Sequence, residues 1–164
     1  QSYSHTVQAE VTYPVLTGLN LTAAYRYTDV KTTYGTRLLE RPLTGTSKGL
    51  ITASYQTPMG IWQFDVTLQL NSGGRMPTPY TTADGNLSWP ERFSAYPQLS
   101  AQATRWFRHW SVYVGGENLT NYKQRNPIVN ASDPWSPNFD STMIWGPVHG
   151  FLLYAGVRFN LDYK

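Results

Sequence analysis

The chain has 164 residues, 14% charged and 15% aromatic, with a net charge of +3 and a mean hydropathy of −0.42. It holds no run of about eighteen apolar residues, which excludes transmembrane helices, and its cations form no basic block of the kind that grips nucleic acid. Cysteine is absent, so disulfides, thiolate nucleophiles and Cys-held zinc are excluded together.

From Tyr3 to Tyr13 the odd positions Tyr3, Val7, Ala9, Val11 and Tyr13 are mostly apolar and the even ones polar, a period of two that predicts a strand. Pro14 to Gly18 supplies turn chemistry. Leu19, Leu21, Ala23, Tyr25 and Tyr27 then mark a second strand, followed by a Thr-rich polar connection from Asp29 to about Thr46. Ile51, Ala53 and Tyr55 predict a third strand ending at the turn Pro58-Met59-Gly60, and Trp62, Phe64, Val66, Leu68 and Leu70 a fourth. A loop rich in Gly and Pro runs from about Ser72 to Arg92. A fifth strand follows from Ala95 to Thr104, with Pro97 placed where no backbone donor is needed. Trp110, Val112 and Val114 mark the sixth strand, a third long loop runs from Asn118 to Pro147, and Phe151 to Tyr163 alternates as the seventh.

Ordinary strands run about five or six residues, whereas a strand tilted across a bilayer needs about nine to eleven. Short turns here alternate with loops of roughly eighteen to thirty residues, an asymmetry of outer-membrane barrels. The expected fold is therefore all-β, an antiparallel transmembrane β-barrel segment in the bacterial outer membrane with the C-terminus in the periplasm. Tyr13, Tyr25, Tyr27, Tyr55, Trp62, Trp110, Phe159 and Tyr163 then suit the membrane interfaces, where amphipathic rings sit at headgroup level. Seven strands are too few and odd in number for a closed single-chain barrel, so further strands are expected from elsewhere. No charged and apolar leader opens the chain at Gln1, which fits a piece of a longer protein.

The stretch VYVGGENLTNYKQRNPIV, the later DPWSPNFDSTMIWGPVHGFLLYAGVRFNL and the earlier LNLTAAYRYTDVKTTYG with SKGLITASYQT resemble the C-terminal end of TonB-dependent outer-membrane receptors. That resemblance implies a barrel of roughly 22 strands with a plugged lumen, of which residues 1–164 would be the last part. It implies as partners the rest of the same receptor, TonB and outer-membrane lipid, with the plug domain and the TonB-contacting segment lying outside these residues. The implied function is import of a bulky nutrient of siderophore, haem, cobalamin, glycan or peptide class. Gly156, Phe159 and Leu161 match the family's closing strand, whereas Tyr163-Lys164 departs from its usual terminal aromatic.

Glu10, Arg26, Asp65, Glu117 and Arg158 fall on the polar parity of their strands, and are expected either to line the path through the lumen or to pair across strands inside it and serve only the barrel. Tyr34, Tyr80, Trp89, Arg92, Trp135 and Trp145 lie in the long loops, where rings and guanidinium groups suit ligand capture or the packing of loop on loop. His5, His109 and His149 lack ligand spacing, so no metal or other cofactor is expected. Neither a G-x-S-x-G turn nor a convincing pair of carboxylates is present, and no catalytic residue is assigned. Two other functions compete with import: a structural or adhesive outer-membrane barrel, and a soluble β-sandwich that binds carbohydrate through its aromatics.

Overall fold

The computed structural model describes residues 2–81 and 87–160. Among these described residues ten strands form: β1 (Tyr3–Leu16), β2 (Leu19–Tyr34), β3 (Arg37–Glu40), β4 (Ser47–Gln56), β5 (Trp62–Asn71), β6 (Gly74–Arg75), β7 (Arg92–Phe93), β8 (Tyr96–Trp106), β9 (Trp110–Glu117) and β10 (Leu152–Phe159). Seven of them hydrogen-bond in the order β1-β2-β4-β5-β8-β9-β10, β3 pairs with the far half of β2, and β6 with β7 makes a separate two-stranded sheet. Every neighbouring pair is antiparallel.

Seven long strands were legible from their alternation; two connections were not. The Thr-rich segment after Tyr27 continues β2 to Tyr34, turns at Gly35 and returns as β3, pairing Lys31 with Glu40 and Tyr34 with Arg37. Asp29, Val30, Lys31, Thr32 and Thr33 are polar or β-branched at both parities, so the segment has strand propensity without an apolar stripe. The 72–92 connection likewise holds β6 and the start of β7. Pro97 is accommodated because the β9 pairing begins only at Ala101, and the Pro97 carbonyl accepts from the Thr120 hydroxyl at 3.1 Å.

The transmembrane barrel is overturned. Among the described residues β1 and β10 stand at opposite ends of the strand order and neither pairs with a second neighbour, so both sheets are open. A wall through hydrocarbon has to close, because each donor or acceptor left unpaired there costs several kcal/mol. The expectations that hung on a closed wall fall with it. These are the TonB-dependent receptor and its larger barrel, the outer-membrane location with a periplasmic C-terminus, the lipid, plug and TonB partners, and nutrient import. The structural or adhesive outer-membrane barrel fails on the same ground. No helix among the described residues is long and apolar enough to cross a membrane.

The two faces of the large sheet differ in an unexpected sense. Side chains of one parity, including Val7, Val11, Tyr13, Leu21, Tyr25, Tyr27, Tyr55, Trp62, Phe64, Trp110, Val157 and Phe159, form an apolar face that stays exposed, Val11 at 66% and Phe159 at 70%. The proposed interface aromatics all lie there, except Tyr163, which is outside the described residues. The side chains buried on the sheet, Asn71, Thr104 and Ser111, belong to the polar parity. On that face Tyr113 lies opposite Gly156, and Tyr154 opposite Gly115. Each ring occupies the space a Cβ on the facing glycine would need, so these two glycines let the tyrosines lie flat across the β9–β10 ladder.

The short turns 17–18, 57–61 and 107–109 gather at one end of the sheet and the long connections at the other. Met76, Phe93 and Met143 are buried at the loop end, with Leu43, Trp89, Val129 and Trp145 packed on them. The small apolar core is therefore built by the loops.

Candidate functional site

The loop end is held by polar side chains that stand in for regular ladders. Asn118 has a positive φ of 50°, which Asn tolerates better than most residues. Its amide nitrogen donates to the carbonyls of Tyr122 at 2.8 Å and His149 at 3.0 Å, and its amide oxygen accepts from the Thr120 hydroxyl and the Tyr122 N–H. One buried side chain thus ties the exit of β9 to the approach to β10. Gln124 is buried as well: it donates to the Met143 carbonyl at 2.6 Å and accepts from the N–H groups of Trp145 at 2.9 Å and Gly146 at 3.2 Å.

Aromatic packing completes the frame. Phe93 stacks on Trp145 with centroids 4.8 Å apart, and Tyr96 stacks on Tyr122 at 5.0 Å, while the Tyr96 hydroxyl donates to the Trp145 carbonyl at 3.2 Å. Burial, and then the neighbouring Tyr122, push the Tyr96 phenol above its ordinary value. On the other side the Trp89 indole N–H donates to the Pro77 carbonyl at 2.9 Å, and Arg92 forms an ion pair with Glu40 at 2.9 Å, joining β7 to β3.

Between these supports opens a cleft of about 820 Å³. Trp89, Phe93, Tyr122 and Trp145 contribute rings to its wall, Gln124, Asn126 and Asn130 amides, and Arg92, Lys123 and Arg125 positive charge. No Asp or Glu is among the described residues that line it. The volume suits a small organic ligand.

Of the loop candidates read from the sequence, Trp89, Arg92 and Trp145 come together at this cleft. Tyr80 stands one ring behind, edge-on to Trp89 with centroids 5.6 Å apart. Tyr34 lies elsewhere, under the Arg75 guanidinium at 5.7 Å. Trp135 is 96% exposed in the turn after Asp133 and does not line the cleft. Lys123, Gln124 and Arg125 were missed, although the alternation of two cations about a single amide in Tyr122-Lys123-Gln124-Arg125-Asn126 was a usable signal.

Glu10, Arg26, Asp65, Glu117 and Arg158 do share one face of the sheet, but they form no ion pairs with each other. Asp65 instead accepts from the Ser54 hydroxyl at 2.6 Å and from the Gln63 amide at 3.1 and 3.0 Å. Glu117 stands opposite Leu152, and Arg158 opposite Ser111. The described residues contain no group of three His, Asp or Glu arranged to hold a metal ion. No family model, curated protein or solved structure matches the chain.

Proposed function

We propose that the chain is a non-catalytic binding module that takes an acidic carbohydrate, such as a uronic-acid oligosaccharide, in the loop-end cleft. The observation that carries this reading is the lining itself: aromatic rings, amides and the cations Lys123 and Arg125 beside Arg92, which Glu40 already pairs, with no carboxylate among its described residues. Rings accept the apolar faces of sugars, amides can both donate to and accept from hydroxyls, and guanidinium and ammonium groups attract a carboxylate. Glycoside hydrolysis generally needs two carboxyl groups flanking the bond, so the acid-free wall favours capture over cleavage. The burial of Gln124 beneath the cleft supports a preformed site, because its three hydrogen bonds fix the 143–146 backbone before any ligand arrives.

Tryptophan fluorescence titration with oligogalacturonides and with neutral malto-oligosaccharides tests it. The acidic sugars are expected to bind and the neutral ones to bind at least tenfold more weakly. Arg125→Ala, at an exposed position, should cost the acidic ligand about ten- to a hundredfold, the range of a charge-assisted hydrogen bond. Equal binding of both sugar classes overturns the acidic specificity, and binding of neither overturns the reading.

A further inference from the structure

Arg26 on β2 and Lys48 on β4 are direct partners in the ladder, so their side chains leave the polar face side by side. Like charges directly opposite one another destabilise a sheet. Nothing in their row offsets this, since the next partners outward are the neutral Gln8 and Asn71. Among the described residues the one ion pair is Arg92 with Glu40, and Glu10 on the same face stands opposite Ala24 rather than Arg26.

The two cations line two clefts. One, of about 330 Å³, also contains Glu10. The other, of about 370 Å³, contains no acid among its described lining residues and is walled by Thr6, Thr28, Thr46 and Ser47. Thr6 and Thr28 are themselves ladder partners, which places their hydroxyls on one side of the cleft. Among the described residues, the hydroxyls of Thr6 and Thr28, which share the polar parity of Arg26 and Lys48, make no hydrogen bond within the protein.

We propose that Arg26 and Lys48, with the hydroxyls of Thr6 and Thr28, bind a tetrahedral oxyanion, phosphate or sulfate, in this second cleft. The guanidinium fork engages two oxygens at once, the ammonium adds a point charge, and hydroxyl donors reach the remaining oxygens. An anion seated there converts the repulsion between Arg26 and Lys48 into attraction toward a shared centre. Glu10 directs the anion away from the first cleft. The site stands on the sheet wall and does not depend on the function assigned to the loop end.

The same oxyanion arrives either as a free ion or as an ester on a larger molecule. Calorimetric titration at constant ionic strength, with chloride as the balancing anion, separates the two sources by comparing inorganic phosphate with a sulfated disaccharide. Phosphate is expected to bind, and Arg26→Gln and Lys48→Gln each to weaken it at least tenfold. Glu10→Gln should leave the affinity unchanged or raise it. Both cations are exposed and their repulsion opposes folding, so without phosphate the variants are expected to melt no lower than wild type. A disaccharide that binds at least tenfold more tightly than phosphate, with the same loss in Arg26→Gln, assigns the site to an ester; otherwise the free ion is the ligand. Binding of neither probe, or equal binding by wild type and Arg26→Gln, overturns the proposal.

Discussion

The apolar face of the large sheet and the apolar cluster at the loop end contain the same kinds of side chain with opposite fates. Val11 and Phe159 lie on a regular ladder and stay mostly exposed, whereas Phe93, at the end of a two-residue strand, is 6% exposed. Regular hydrogen bonding fixes where a side chain points; it does not supply the second layer that removes the side chain from water. The loops supply that layer only for themselves, by folding Met76, Phe93 and Met143 together and fastening the backbone with Asn118 and Gln124.

The largest expected effect lies at the covered end. Phe93→Ala removes a buried ring and its stack on Trp145, and should cost about 3–5 kcal/mol in equilibrium denaturation. A loss below about 1 kcal/mol would place the loop cluster outside the cooperative unit and erase the contrast.

An intermediate effect concerns acid. Asp140 accepts from the Thr142 hydroxyl and the Thr142 N–H, both at 2.7 Å, and these bonds hold its carboxyl below the ordinary value of 3.8. A depressed folded value means that its contribution is complete above the unfolded value and is lost as the pH falls through the folded one. Hydrogen exchange should therefore show the Thr142 amide losing protection below that range, with loosening of the Val129–Asp140 bridge beside the cleft. In Asp140→Asn the Thr142 protection should no longer depend on pH there.

The smallest effect is expected on the bare face. Val11→Thr keeps the β-branch at a position already in water, and should change stability by no more than about 0.5 kcal/mol. A cost above about 1.5 kcal/mol, of the size of burying a Val side chain, would mean that this face is covered when the protein is at work.

Alternation in this chain was a reliable guide to element type. Trp62 through Asn71 and Trp110 through Glu117 form strands as read, because a period of two follows from the pleat alone. The same reading failed where no apolar stripe ran, as in residues 29–33 of β2, and where a strand was too short to show a period, as in β3, β6 and β7. It failed most in architecture. An apolar-out, polar-in pattern suits a barrel wall and an open sheet equally, since parity is a property of each strand and closure a property of the first and last together.

The candidate site was legible in part for a related reason. Trp89, Arg92 and Trp145 stood out as rings and charge in loops, but they are far apart in sequence, and only the packing of Phe93 on Trp145 and the amide of Gln124 brings them to one cleft. Trp135 was as conspicuous and lies away from that lining. By itself the sequence determined the seven long strands, their faces and the absence of thiol chemistry, all of which follow from local periodicity and residue type. Tertiary structure alone decided that β1 and β10 remain edges, that the loops carry the core, and that Arg26 meets Lys48. These depend on register and on contacts between residues distant in the chain, which no local pattern encodes.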